Sequence, residues 1–211
     1  MFRDRTEAGQ LLAKELSFLK DRSDVIVLAI PRGGVPVAAE VAQAIGAPLD
    51  IVVVRKIGAP DSPELAIGAV SEGGEVFLDQ KLIEGLGVSQ EYTAREVSRK
   101  REEVAQRESY REGRPAIEVK GKTALIIDDG IATGSTLRAA VEYVRQRRAK
   151  SIIIAAPVGV PESISELSKL VEVVCPSRPR NFGAVGQYYE DFSQVDDAEV
   201  TRILREATRS P

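Results

Sequence analysis

The chain has 211 residues, 43% hydrophobic and 29% charged, an ordinary make-up for a globular domain with a sizeable core. Its net charge of −3, from 29 basic and 32 acidic residues, gives no basic excess that would make nucleic acid the default partner, and no apolar run has the length of a membrane span. The count of zero histidines excludes a Ser-His-Asp triad, a Cys-His pair and a His-ligated metal, so acid and base work falls to Asp, Glu, Lys, Tyr or water, and a metal would be a hard, oxygen-liganded ion such as Mg²⁺.

Residues 1–5 lack the apolar core of a signal peptide, and the lone Cys175 fits a reducing cytoplasm. Residues 6–20 carry Leu11, Leu12, Leu16 and Leu19 as a helical stripe. Residues 25–30 are a continuous apolar run closed by Pro31, the pattern of a strand buried on both faces. Gly33 and Gly34 punctuate, and residues 35–45 then read as a helix with Gly46 as its C-cap. Residues 49–54 form a second buried strand. Residues 57–64 contain Gly58, Pro60, Asp61 and Pro63 and read as a loop; Glu64 reads as a solvated charge there. Residues 65–70 and 75–78 flank Ser-Glu-Gly-Gly, which suggests a hairpin.

Residues 89–111 are dense in Glu, Arg and Lys, with Tyr92, Val97 and Val104 as rare apolar positions. They read as a long helix with a solvated face; a role in a homo-oligomer stays open. Residues 123–127 are a third strand and 135–148 a helix. Residues 151–158 are a fourth strand, 162–170 a helix and 171–175 a fifth strand. Cys175, at the end of that apolar run, reads as a small buried hydrophobe. Residues 178–192 are irregular and aromatic, and 196–208 form a closing helix. Buried strands alternating with helices imply an α/β fold: a mainly parallel sheet of about five strands flanked by helices. Ligands of such sheets sit beyond the carboxyl ends of the strands, which singles out the segments after Ile30, Val54 and Ile127.

The third strand runs straight into Asp128, Asp129, Gly130, Ile131, Ala132, Thr133, Gly134, Ser135 and Thr136, and a helix follows at once. A helix N-terminus presents unpaired backbone N–H groups and a positive dipole end, which suits phosphate. Gly134 allows close backbone approach, and Thr133, Ser135 and Thr136 add hydroxyl donors. Two adjacent carboxylates repel a phosphate and suit sugar hydroxyls, a divalent cation or a developing positive charge. No lysine follows the glycine and the acids precede the turn, so this is not a Walker loop. Arg32 and the pair Arg55-Lys56 end strands at the same sheet edge, where they would meet an anion.

Residues 124–136 resemble, position for position, the motif for 5-phosphoribosyl-1-diphosphate (PRPP) in type I phosphoribosyltransferases. The Pro-Arg-Gly-Gly turn at 31–34, the basic pair 55–56, the loop beyond it and the aromatic segment near the C-terminus extend the likeness. The resemblance implies a core of residues 1–175 with a helical and hairpin insertion around 65–115, and a small C-terminal hood with a closing helix over 176–211. It implies that Ala132, Thr133, Gly134, Ser135 and Thr136 hold the 5-phosphate. Asp128 and Asp129 would be catalytic, facing the ribose hydroxyls and the metal. Arg32, Gly33 and Lys56 would bind pyrophosphate, residues 57–64 would form a lid, Phe182 would stack on a nitrogenous base, and Asp191 would lie near the Mg²⁺. The hood has no lysine to read a 6-oxo group; its nearest basic side chains are Arg178 and Arg180. Two functions follow: a Mg²⁺-dependent transferase joining PRPP to a base, or a PRPP- or nucleotide-sensing regulator of the same fold without turnover.

Overall fold

Two strands buried at every position, β1 (Val25–Ala29) and β6 (Thr123–Ile127), lie side by side at the centre of a five-stranded parallel sheet. Its order is β2 (Leu49–Ile51), β1, β6, β7 (Ser151–Ala155), β8 (Glu172–Val174). The computed structural model describes residues 1–207. Helix α1 (Arg5–Glu15) precedes β1, and α2 (Gly34–Ile45) crosses from β1 to β2. Helices α5 (Ser135–Gln146) and α6 (Pro161–Ser168) make the crossovers on the other side of the centre. The chain therefore winds outward in both directions from the β1/β6 boundary, which leaves a crevice at the carboxyl ends of those two strands.

Alternation along the strands builds two cores. Val25, Val27 and Ala29 with Leu125 and Ile127 face Val37, Val41 and Ile45 of α2, together with Leu12 of α1. Val200 and Leu204 of α7 (Asp197–Ala207) join the same cluster. Ile26, Leu28, Ala124 and Ile126 face the opposite way, onto Leu137, Ala140, Val141 and Val144 of α5 and Ile164 and Leu167 of α6. The helical stripe expected on α5 is the one buried. Cys175 is buried too; its thiol donates to the Ser177 carbonyl and burial pushes it up to about 11. The closing helix expected over 196–208 runs from Asp197 to Ala207, and Thr208 lies outside the described residues. No helix among the described residues is long and apolar enough to cross a membrane.

Three local expectations are corrected. The run 49–54 is not one strand: β2 stops at Ile51, and Val54 opens a separate antiparallel sheet, β3 (Val54–Ala59), β4 (Ser62–Ser71) and β5 (Val76–Leu78). Residues 57–64 are not a loop but the tip of the β3–β4 hairpin. Pro60 and Asp61 form its two-residue turn, and a shift of register at Gly58 takes Pro63 out of regular pairing. Gly58 is needed there, since a Cβ would lie 2.5 Å from the Pro63 carbonyl oxygen. The fourth strand ends at Ala155, three residues short of Val158, because the chain turns to meet β8 and the residue-131 turn. A short helix, α3 (Gln80–Gly85), was not anticipated; Asp79 caps it by accepting from the Leu82 amide.

Helix α4 (Gln90–Glu108) buries Thr93 and Val104 and carries surface pairs such as Arg99–Glu96 and Lys100–Glu103. Just past it, Arg111 is buried and joins three elements. It donates to Asp50 Oδ1 at 2.7 Å, to both Glu72 oxygens at 2.9 and 3.1 Å, and to the Ile51 carbonyl at 2.6 Å. The Ile117 amide satisfies the other Asp50 oxygen, and the Val53 amide adds a second bond to Glu72 Oε1. A charge buried this way is tolerable because every partner is hydrogen-bonded.

Candidate functional site

Beyond Ile127 the chain leaves the sheet as Asp128 and Asp129, turns at Gly130, and re-enters regular structure at α5. The turn is pinned by the Ile131 amide donating to Val158 O at 2.9 Å and the Val160 amide donating to Ile131 O at 2.8 Å. Gly134 has φ +72°, a left-handed conformation that glycine adopts without strain. Ala132 and Thr133 are exposed. Among the described residues, the amides of Ala132, Thr133, Gly134 and Thr136 donate to no protein acceptor, while Ser135 N reaches Thr133 Oγ1 at 3.4 Å. Open amides at a helix start, with hydroxyls 3.0 Å apart on Thr133 and Ser135, form an anion cradle.

The pyrophosphate turn expected at 31–34 lies against the acid pair. The Pro31–Arg32 peptide is cis. A Cβ on Gly33 would lie 2.0 Å from Asp129 Oδ2, and one on Gly34 would lie 2.7 Å from the Ile127 carbonyl oxygen. Only glycine allows this approach. Gly33→Ala should therefore displace the Asp129 carboxylate and, by overpacking, cost about 1–3 kcal/mol of stability. Urea unfolding checks it; an unchanged midpoint would mean that the turn relaxes away from the carboxylate.

Burial pushes both acids upward, Asp128 furthest because Asp129 repels it as well; Arg5 opposes the rise at Asp129. Arg5 Nε donates to Asp129 Oδ2 at 2.9 Å, and the two side chains are only 11% and 14% exposed. Asp128 Oδ1 accepts from the Asp129 amide. The other oxygen of each acid accepts nothing among the described residues, so two hard oxygen donors stay free. That donor set fits Mg²⁺ or sugar hydroxyls.

Cationic side chains gather beside the turn. Arg32 Nη1 donates to Asp197 Oδ1 at 3.1 Å, an oxygen that also accepts from Tyr110 at 2.6 Å. Arg107 of α4 donates to the Pro31 carbonyl at 2.8 Å. Arg55 Nε lies 3.3 Å from Glu103 Oε2, yet it is buried with no hydrogen bond. Burial, then the charge on Arg107, pushes Arg55 down to about 10. Cations crowded until one is perturbed, with a donor unmade, form a site short of negative charge. Lys56 pairs with Glu64 at 2.8 Å, and the Glu64 carbonyl lies 3.5 Å from Ser135 Oγ, so the hairpin tip reaches the start of α5.

The remaining expected residues lie in the hood. Phe182 is half-buried and stacks on Tyr188, with centroids 5.2 Å apart. Asp191 is exposed and turns its carboxylate to the amide and hydroxyl of Ser193, which hold it below the usual carboxylate range. It is not gathered with Asp128 and Asp129: no group of three or more Asp, Glu, His or Cys among the described residues is placed to hold a metal. Sequence reasoning missed Arg5, Arg107 and Tyr189, whose hydroxyl donates to Asp129 O at 2.7 Å. No local signal marks Arg5 or Arg107, each one cation among many on a helix.

A doubly wound parallel sheet with an anion cradle, an acid pair and a cationic turn meeting at its switch point is the arrangement of a phosphoribosyl transferase domain. The model of that family matches residues 5–193, and the chain belongs to the family. A solved structure from Thermus thermophilus, the protein TT1426, is 44% identical and superposes with a TM-score of 0.87 over 98% of both chains. A Mycobacterium tuberculosis protein provisionally named a phosphoribosyl transferase is 42% identical over 99% of this chain and 47% of its own length. The chain thus spans about half the length of that relative. A ribose-phosphate pyrophosphokinase of Pyrococcus furiosus is 45% identical over 58 residues, 26% of this chain and 21% of that protein.

Proposed function

We propose that the chain transfers the 5-phosphoribosyl group of PRPP to a nitrogenous base and releases pyrophosphate, with Mg²⁺ as cofactor. One observation supports this above the rest: the open amides of Ala132, Thr133, Gly134 and Thr136, the acid pair and the cationic turn meet at the carboxyl ends of β1 and β6 and match the three parts of PRPP. The 5-phosphate enters the cradle, where backbone donors and the α5 dipole stabilise it without reorganisation. The sugar hydroxyls lie on the free oxygens of Asp128 and Asp129. Arg32, Gly33, Arg55, Lys56 and Arg107 surround the pyrophosphate and offset its charge as the C1–O bond lengthens. The acids stabilise the positive charge that develops on the ring. Asp128 and Asp129 would be the residues to hold Mg²⁺, which would supply further neutralisation of the leaving group. The β3–β4 hairpin excludes water that would otherwise hydrolyse PRPP.

Phe182 offers a planar surface for the base, and stacking tolerates ring identity. Discrimination rests on polar groups at the ring edge, and the hood presents no lysine. Hypoxanthine and guanine should accordingly be poor acceptors. Phe182→Ala should raise the base KM about tenfold, since base–aromatic stacking is worth about 1–3 kcal/mol, and leave PRPP affinity nearly unchanged. A panel of bases assayed by pyrophosphate release tests both statements; efficient use of hypoxanthine overturns the first.

The second reading, a PRPP sensor without turnover, is favoured by the commitment of Asp129 to Arg5, which leaves fewer carboxylate oxygens for chemistry. It predicts PRPP binding with no pyrophosphate release on any base.

A further inference from the structure

The acid pair and the hood are joined through one side chain. Arg5 is the first residue of α1, and its guanidinium has three partners at once. Nε donates to Asp129 Oδ2 at 2.9 Å, Nη1 donates to the Ser193 carbonyl at 2.8 Å, and the guanidinium carbon lies 4.0 Å from the centroid of the Phe192 ring. The segment just before it is threaded into the hood. The Phe2 amide donates to Tyr188 O, and the Glu190 and Asp191 amides donate to Phe2 O and Arg3 O at 2.8 and 2.9 Å. Phe2 and Phe192 both pack against Tyr189, with centroids 5.3 and 5.1 Å away, and Tyr189 itself donates to the Asp129 carbonyl.

We propose that Arg5 is a positioning residue that couples the hood to the acid pair, so that engagement of Asp129 by the sugar end of PRPP sets the placement of the arm 188–193 over the base. The physical basis is the shared guanidinium. A charge-assisted bond to Asp129 and a stacked, hydrogen-bonded contact to 192–193 cannot both persist if either end moves. Lysine would not replace it, because an ammonium cannot donate in two directions while lying flat on a ring. Among the described residues the Tyr189 hydroxyl, on the Asp129 carbonyl, is the arm's other hydrogen bond to the motif, and Val185, just before the arm, lies against Gly130. Ligand-dependent ordering of the hood would follow. The ligand part of this inference rests on the proposed PRPP reading; the mechanical part does not.

Hydrogen exchange on the intact chain separates the two. Without ligand, Arg5→Gln and Asp129→Asn should each speed exchange across 188–193 by about tenfold, the scale of one charge-assisted hydrogen bond, and leave α5 and the central strands unchanged. The double variant should be no faster than the faster single, because both remove the same link. Arg5→Lys should behave like Arg5→Gln, and serves in its place if the latter fails to fold. Unchanged exchange, or additive effects, overturns the coupling. With Mg²⁺ and PRPP added, exchange across 188–193 should slow in the unsubstituted chain and not in Arg5→Gln, while 132–136 is protected in both. Slowing of 188–193 in both proteins also overturns the coupling. Absence of protection at 132–136 in both would refute PRPP binding instead, and leave the coupling to the ligand-free result.

Discussion

Asp128→Asn combined with Asp129→Asn is expected to slow turnover on PRPP by about 10²–10³-fold, the scale of losing a preorganised electrostatic stabiliser. The fold should survive. Both residues follow the last core position of β6, and both carboxyls are pushed above the ordinary range, Asp128 furthest by burial and by the charge of Asp129. An acid raised in this way adds stability below its unfolded-state value and loses it as pH rises through the folded one, because the native state binds the proton more tightly. A neutral amide at 128 cannot take on the buried charge that the site disfavours, and Asp128→Asn alone should melt no lower than the parent. Turnover measured beside thermal melting separates the effects. Unchanged PRPP affinity and unchanged rate in the double variant would remove the pair from the site.

The largest effect on stability is expected at Arg111. Arg111→Met leaves Asp50 and Glu72 buried with their mutual repulsion uncompensated, and breaking such a pair costs about 3–5 kcal/mol. Domains of this kind hold about 5–15 kcal/mol in total. The urea midpoint should fall steeply, and a loss below about 1 kcal/mol would show that water or relaxation replaces the guanidinium. The consequence reaches the site. Arg111 ties the end of α4 to β2 and to the turn after β4, and Arg107 lies one helical turn upstream, bonded to the Pro31 carbonyl. Loosening that end should disturb the turn at 31–34 before the start of α5.

The sheet was legible because its signals are local. Continuous apolar runs at 25–30 and 124–127 occur where both faces of a strand are buried, and α5 shows its core stripe at 137, 140, 141 and 144. The cradle was legible for the same reason, since strand, turn and helix start are contiguous in the chain. The hairpin tip was not. Two prolines and a glycine read as breakers, yet one proline sits in a two-residue turn and the other at a shift of register, features fixed by pairing rather than by composition. Nor was the partition of the acid pair visible. Asp128 and Asp129 look equivalent in sequence, and only the fold brings Arg5 across 124 residues to one of them. Arg107 was hidden by its neighbours on a charged helix, most of which are the solvated pairs that composition suggests.

The central claim is that residues 132–136 cradle the phosphate of PRPP opposite a cationic turn. Amide NMR of the chain during titration with PRPP and Mg²⁺ tests it most directly. Saturable shifts are expected at Thr133, Gly134 and Thr136 and, in the same titration, at Arg32, Gly33 and Gly34. Saturation elsewhere on the surface, with these amides unmoved, would contradict the account.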